Sequence, residues 1–401
     1  MRILFITDEY PWPPRSGYRQ RIDAVLRILA RNAEVDLLAV VLDDAGLPPP
    51  ATLLARHCVV VAGRRRESRP RRLARWVLGR SPRTLLWRDW SAPRQVLRGW
   101  ADSGYDVVWF SHVPVYLALR DLVTVPHVVD LDNLESFVLA HRRAALASQR
   151  GRGALVRRGL AIADGLDARR WRRIEHQVAR LAAAAVVCSA LDRDRLGGAN
   201  ARIVRNGYEP VTSPGVGRRG GGGPVILMVG LLTYEANRDA AAHFGEHILP
   251  MVRRELAGAQ FRVVGRYDRP EQVAGLWALP GVVVTGEVAD IGAELAAADI
   301  AVVPIRFGGG TRIKILEAFA HRVPVVTTSV GSEGLDVVDG EHLLVADGAA
   351  EFAAACIRLL REPGVRERIV DAAYRLWRHR YRWQTLAPDV NAIVQEAAGR
   401  R

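Results

Sequence analysis

The sequence predicts an α/β protein built from two Rossmann-like domains, and three observations carry that prediction. The chain has 401 residues, 49% of them hydrophobic, more than a single core usually organises, so two domains of roughly 200 residues are expected. Short apolar runs recur with helical-period segments between them, the pattern of parallel strands joined by crossover helices. In the middle, Ser213 to Pro224 (SPGVGRRGGGGP) lacks apolar periodicity and reads as a flexible connector.

In the first domain, residues 1–210, strands are expected at 3–7, 35–41, 107–110, 128–131 and 186–188. Between the first two, Ile22, Val25, Leu26 and Leu29 follow i, i+3, i+4, i+7 and predict a helix with one buried face. Residues 211–224 form the linker. The rhythm restarts in a second domain, residues 225–375, with strands at 225–229, 261–264, 282–285, 300–304, 323–328 and 343–346. The tail reads as helices broken at Pro363 and Pro388, and residues 376–401 are expected to form a C-terminal helix packing back on the first domain.

No run of ~18 uncharged apolar residues is present, and the first strand runs into Asp8 and Glu9 rather than a signal-peptide pattern, so a cytoplasmic protein is expected. Cys58, Cys188 and Cys356 have neither the pairing of a disulfide framework nor the spacing of a zinc site. The net charge of +14 is unevenly held: residues 1–210 carry 35 basic and 21 acidic side chains, residues 211–401 carry 22 of each. From Arg56 to Arg98 stand 13 arginines against Glu67 and Asp89, with Trp76, Trp87 and Trp90 among them and Trp100 just beyond. Arginine with tryptophan suits the boundary between water and acidic headgroups, so peripheral association with the inner face of an anionic membrane is one reading. A solvated arginine-rich surface is the other. No nucleic-acid-binding motif accompanies the charge, and no nucleic-acid partner is expected.

Chemistry concentrates in GGGTRIKILEA, Gly308 to Ala318. This segment follows an expected strand, and ligands of open α/β sheets bind at the carboxyl ends of strands. Gly308, Gly309 and Gly310 let a phosphate approach the main chain, and the first amides of the following helix favour an anion. Thr311 is placed to cap that helix. Arg312 and Lys314 fall in its first turn, where positive charge is unfavourable unless an anionic ligand offsets it. Lys314 is the only lysine in the chain, which points to a compact ammonium wanted at that place. Glu317 is suited to accept two hydrogen bonds from a ribose diol. The alternative is a solvated glycine turn before an amphipathic helix, with Glu317 exposed and paired to an arginine.

These residues resemble the signature of the retaining glycosyltransferases of family 4, which have the GT-B fold. In sequence order the resemblance takes in Ile3 to Gly17 (ILFITDEYPWPPRSG), Asp130 to Ser136 (DLDNLES), Arg173 to Ser189, Arg205-Asn206-Gly207, Val229-Gly230, Val264-Gly265-Arg266, Thr285-Gly286-Glu287-Val288 and Val302 to Gly334. It implies two Rossmann-like domains facing a central cleft. It implies transfer of a sugar from a nucleoside diphosphate sugar to a glycan, a lipid-linked sugar or a small natural product, with retention and with no metal or other cofactor. By the same resemblance Gly17 faces the departing diphosphate, Gly230 and Gly265 belong to the donor site, Val288 lies where the base meets backbone groups, and Glu317 holds the ribose.

The chain departs from the family pattern twice. Gly309 occupies the place of the first of two paired glutamates, the one that touches the sugar, and the arginine and lysine usual after Gly230 are replaced by LLTYEANRD. Arg312 and Lys314 are the candidates to serve the diphosphate instead, with Arg238 as a third. On the acceptor side, Asp132 stands where many relatives have a histidine and His112 lies near a strand end, so both are candidate catalytic or substrate-contacting residues. Asp130 is read as structural. The competing functions are a nucleotide-sugar epimerase of the same fold and a non-catalytic partner protein.

Overall fold

A computed structural model describes residues 1–42, 53–100, 103–148, 153–209, 223–310 and 312–400. The chain divides into two compact units: Met1–Arg205 with Leu386–Arg401, and Asn206–Thr385. Of the expected linker, residues 211–222 lie outside the described residues.

The first unit runs β1 (Arg2–Thr7), α1 (Gly17–Ala30), β2 (Glu34–Val41), β3 (Arg56–Val61), β4 (Gly63–Arg64), α2 (Arg69–Leu78), β5 (Arg88–Asp89), α3 (Ser91–Arg98), β6 (Val107–Ser111), α4 (Val113–Leu119), β7 (His127–Asp132), α5 (Glu135–Ser148), α6 (Ala154–Leu181), β8 (Ala184–Val187), α7 (Ala190–Leu196) and β9 (Ala201–Ile203). Seven strands form one parallel sheet in the order β3-β2-β1-β6-β7-β8-β9, with Ile3 paired to both Val35 and Val107. Leu4 and Ile6 share a core with Val108, Phe110, Val129 and Leu131, while Phe5, pointing to the opposite face by strand alternation, stacks on Trp109 at 6.1 Å. Ile22, Val25, Leu26 and Leu29 of α1 are all buried, as their spacing predicts. The sequence reading lacked β3, β9 and the β4/β5 hairpin. β3 is an edge strand that opens on Arg56-His57 and exposes four of its six residues, Val59 and Val61 among them, so its short apolar run does not mark a buried strand, and β9 has three residues.

The second unit contains β10 (Val225–Val229), α8 (Glu235–His243), α9 (Leu249–Glu255), β11 (Gln260–Val264), α10 (Ala274–Trp277), β12 (Val282–Gly286), α11 (Ile291–Ala296), β13 (Ile300–Val303), α12 (Ile313–Ala320), β14 (Val325–Thr327), α13 (Ser329–Ser332), β15 (Leu344–Val345), α14 (Ala349–Arg361) and α15 (Pro363–Arg380). Its parallel sheet has the order β12-β11-β10-β13-β14-β15, with Ile226 opposite Ile300. The last helix, α16 (Trp383–Ala398), passes from one unit's residues to the other's at Leu386. Within the first unit it is held by Glu396, which accepts from Arg202 at 2.6 Å. Pro388 does not break this helix as expected. One lost N–H bond costs ~3 kcal/mol, and the buried row Leu386, Val390, Ile393, Val394 and Ala397 outweighs it. Pro363, by contrast, starts α15.

Each sheet reverses its winding once, between β1 and β6 in the first unit and between β10 and β13 in the second. Ligands of open α/β sheets bind at the carboxyl ends of strands at such points. The loops that matter are therefore those after β1 and β6, and those after β10 and β13.

Candidate active site

In the second unit, the loops after β10 and β13 bring Gly230, Asn237, Lys314, Gly308 and Arg312 into one cluster. Gly230 donates its N–H to Val264 O (2.9 Å) and Gly265 donates to Gly286 O (2.8 Å), which keeps three strand ends in step. A Cβ on Gly265 would lie 1.9 Å from Gly230 O, and a Cβ on Gly230 would lie 2.7 Å from Lys314 Nζ. Only glycine leaves the lysine its place. Lys314 Nζ donates to Asn237 Oδ1 at 2.8 Å, and Asn237 Nδ2 donates to Leu231 O at 2.8 Å. Arg312 Nη1 donates to Gly309 O, and its Nε is buried without a hydrogen-bond partner. Gly308, at φ +133°, makes room for it: a Cβ there would stand 2.8 Å from Arg312 Nη2.

Among the described residues neither Arg312 nor Lys314 is in an ion pair. Burial and the Arg312 charge push the Lys314 ammonium down to about 7. Two adjacent, partly shielded cations, influenced by Glu317 and Glu333 but in direct ion-pair contact with neither, make a site suited to an anion. Arg312 is the N-cap residue of α12 rather than a member of its first turn, and Thr311, expected to cap, lies outside the described residues. Lys314 is the second residue of that helix. Glu317 is buried, not exposed, and its charge is felt by both Lys314 and Tyr208. Arg238 is turned to its own loop, donating to Leu232 O and Thr233 O at 2.7 Å each. Gly310 has φ +76°, and Val288 packs half-buried on the second unit's core.

In the first unit the corresponding loops assemble a second polar cluster. Ser16 caps α1 by accepting from Arg19 N, Gly17 begins the helix, and Tyr18 follows. The Tyr18 ring stacks on His112 at 3.8 Å, and its hydroxyl donates to Asp8 Oδ1 at 3.1 Å. His112 Nδ1 lies 3.0 Å from the same oxygen, while Arg88 Nη1 donates to Asp8 Oδ2 at 3.2 Å. Burial opposes the charge on His112, but Asp8 raises its pKa to about 9. His112 is thus an imidazolium at neutral pH, a hydrogen-bond donor. Asp132 takes φ +56°. Its N–H donates to Asp130 Oδ1 at 3.2 Å, and Cys188 Sγ donates to its Oδ1 at 3.2 Å. Asp130 accepts two bonds from buried Arg21, at 2.8 and 2.9 Å, and is structural. Glu135 also faces this cluster, its pKa raised by burial and partly restored by His112.

The His112–Asp8 pair has a pH signature. Because the ring pKa is raised on folding, the pair's contribution to stability is fully present below about 6.5 and is lost as pH rises through about 9. Followed by NMR, His112 is expected to titrate near 9, and Asp8→Asn to return it to its ordinary range or below. A wild-type ring titrating at its ordinary value would contradict the pairing.

Sequence reasoning reached His112, Asp132, Gly17, Lys314, Arg312 and Glu317, and missed Asp8, Tyr18, Glu135 and Asn237. Asn237 had a legible signal. It sits with Ala236, Ala240 and Ala241 on the buried face of α8, and a lone amide on an alanine face needs a partner. Asp8 offered only its position just past a strand.

Two parallel-sheet units, each with a polar cluster where its sheet reverses, define a GT-B protein. Residues 223–362 match the family described as "Glycosyl transferases group 1". The phosphatidyl-myo-inositol mannosyltransferase of Mycobacterium leprae is 32% identical over 157 residues, 37% of this chain and 41% of that one, so the chain spans less than half the length of that curated relative. Sucrose-phosphate synthase from Thermosynechococcus elongatus has a TM-score of 0.73 at 16% identity, covering 100% of both chains. Anabaena HepE in complex with UDP-glucose has a TM-score of 0.61 at 16% identity, covering 98% of this chain and 99% of that one. The fold is that of the GT-B glycosyltransferases.

Proposed function

We propose that this chain is a glycosyltransferase that moves a sugar from a nucleoside diphosphate sugar to a separate acceptor. The observation that carries the reading is the pair Arg312 and Lys314, unpaired with any carboxylate among the described residues, beside the glycine bend and the start of α12. A diphosphate supplies the missing charge, and the first amides of α12 supply further donors. As the sugar–phosphate bond breaks, negative charge grows on the diphosphate, and fixed donors aimed at such charge are typically worth ~2.7–4 kcal/mol each. With two fixed cations in that role, turnover is expected to persist in the presence of a chelator.

Glu317 is assigned to the ribose. A contact made equally in ground and transition states affects KM and leaves kcat alone. Glu317→Gln is therefore expected to raise KM for the nucleotide sugar about tenfold with kcat nearly unchanged, as steady-state kinetics would show. The UDP-glucose held by Anabaena HepE makes UDP-sugars the first donors to test. In the first unit, imidazolium His112 with Asp8, Asp132 and Glu135 offers both donors and acceptors to a hydroxylated acceptor. The mannosyltransferase relative, by its name, supports a lipid-linked one. The resemblance to retaining enzymes supports a product with the donor's anomeric configuration. The +11 stretch from Arg56 to Arg98 supports a peripheral place at an anionic membrane face.

The test is a thermal-shift screen against UDP-, GDP-, TDP- and ADP-sugars, followed by incubation of the stabilising donor with and without acceptors. Stabilisation by one nucleotide class and product only with acceptor are expected. No stabilisation by any of them would remove the donor site, and epimer formed from donor alone would make the chain an epimerase.

A further inference from the structure

We propose that α2 and the first half of α6 form the docking surface for an anionic lipid bilayer. This rests on the peripheral-membrane reading above and changes which residues carry it. Three of the four tryptophans of the arginine-rich stretch are engaged by the protein: Trp100 is buried, Trp90 packs on the first unit's core, and Trp76 Nε1 donates inward to Asp167 Oδ1 at 2.7 Å, while Trp87 is half-buried. The side chains that do reach solvent are aliphatic.

Helix α6 is amphipathic the wrong way round for water. All three of its acids, Asp164, Asp167 and Glu175, are buried on one face with Trp171 and Val178. Asp164 and Asp167 pair there with Arg83. The opposite face exposes Leu155 (83%), Ile162 (67%) and Leu166 at i, i+7 and i+11, with Val156 (68%) to one side. A helix of a water-soluble protein ordinarily turns its charged face outward. The charged residues of α6 that lie along this stripe are arginines, Arg158, Arg169 and Arg173, all exposed.

Helix α2, tied to α6, carries a second exposed aliphatic side. It buries no residue. Arg69, Leu73 and Val77 recur every fourth position along one side, and Leu78 at its end is 85% exposed. Exposed Arg71 and Arg72 add charge, and the helix contains no acid. Its C-terminal end is fastened to the middle of α6 by the Trp76–Asp167 bond and by Arg170 Nη2, which donates to Gly79 O at 2.8 Å.

The occupant follows from the chemistry. Aliphatic side chains among guanidiniums match acyl chains beneath phosphate headgroups, each basic residue near the surface adding attraction and each buried methylene adding more. A protein partner of comparable size would be anchored by exposed tryptophan or tyrosine, which these two faces lack. No described helix is long and apolar enough to cross a membrane, so the surface lies on the bilayer.

The experiment is co-sedimentation of the full chain with vesicles of phosphatidylcholine alone and of phosphatidylcholine mixed with phosphatidylglycerol. Wild type is expected to bind the mixed vesicles, less so at high salt, and to bind phosphatidylcholine weakly. Leu155→Gln/Ile162→Gln and Leu73→Gln/Val77→Gln are each expected to weaken partition about tenfold or more with nearly unchanged melting temperature, since all four residues are more than half exposed. Should an aliphatic pair fail to fold, Arg69→Gln/Arg72→Gln/Arg158→Gln is expected to abolish the dependence on phosphatidylglycerol. A wild type indifferent to phosphatidylglycerol overturns the membrane reading altogether. Wild-type binding that none of the variants weakens overturns this surface while leaving that reading standing. Sedimentation velocity without vesicles gives the remaining outcome: a wild-type dimer that the aliphatic variants dissociate would make the surface a contact between copies and overturn the proposal.

Discussion

Lys314→Ala and Arg312→Ala are each expected to lower turnover about 100-fold or more, because in the proposed donor site each removes a fixed cation from the place where charge would develop on a leaving diphosphate. The geometry explains why neither replaces the other. Lys314 is seated by Asn237 at 2.8 Å over Gly230, whereas Arg312 reaches across the glycine bend to Gly309 O. The buried lysine also predicts a proton. With its ammonium pushed down to about 7 by burial and Arg312, Lys314 is largely neutral in the free protein at mildly alkaline pH, and a bound diphosphate draws it back to the charged form. Binding of a nucleoside diphosphate is therefore expected to take up a proton between about pH 7 and 10.5, measurable by calorimetry in buffers of different ionisation enthalpy. The sign for stability is the reverse of that for His112. A lysine whose pKa is lowered on folding costs stability below about 7, and the cost fades as pH rises toward 10.5. Lys314→Met is expected to raise the melting temperature of the free protein at neutral pH while removing activity. Near-wild-type turnover in both alanine variants, with no proton uptake, would remove the assignment.

Arg21→Ala is expected to cost about 3–5 kcal/mol of stability, because it leaves Asp130 as a buried charge without its partner. Arg21 is 1% exposed and Asp130 2%, and the guanidinium also donates to Val204 O at 3.0 Å. The pair does more than hold α1 to β7. Asp130 accepts the Asp132 N–H through its side chain, and its carbonyl accepts the His112 N–H at 2.8 Å, so the backbone of both residues is held from it. Replacing both members by apolar residues of similar size removes the uncompensated charge. Arg21→Met/Asp130→Leu is accordingly expected to regain most of the stability lost in the single variant, but not the activity. Denaturant unfolding and turnover measured on the same samples check both halves; activity recovering in step with stability would reduce Arg21 to a packing residue.

The parts of this molecule legible in the sequence are those written in local spacing. Strands β1, β2, β6, β7 and β10 to β15 carry apolar runs, interrupted at Asp36, Asp130 and Arg262, and α1 shows its buried face at helical intervals. Edge strand β3 escaped because its apolar run, Cys58 to Val61, lies inside the arginine-rich stretch that opens at Arg56, and the hairpin β4/β5 has two residues a side. Pro388 misled because a helix-breaking propensity is a local term and the buried row of α16 is not.

For the site, the sequence by itself determined the fold class and the segment from Gly308 to Ala318. Both rest on residue types at short separations, and a glycine bend leading to cations at a helix start means the same thing in any fold. Tertiary structure alone decided which groups these residues meet. Lys314 finds Asn237 from 77 positions away and His112 finds Asp8 from 104. It decided that Glu317 is buried, that Arg238 turns to its own loop, and that Trp76 and Trp100 face inward while Leu78 and Leu155 face water. The physical reason is the same in each case. Burial, charge pairing and side-chain direction depend on which strands and helices become neighbours where the sheet reverses, and that adjacency is a property of the whole sheet rather than of any segment in it.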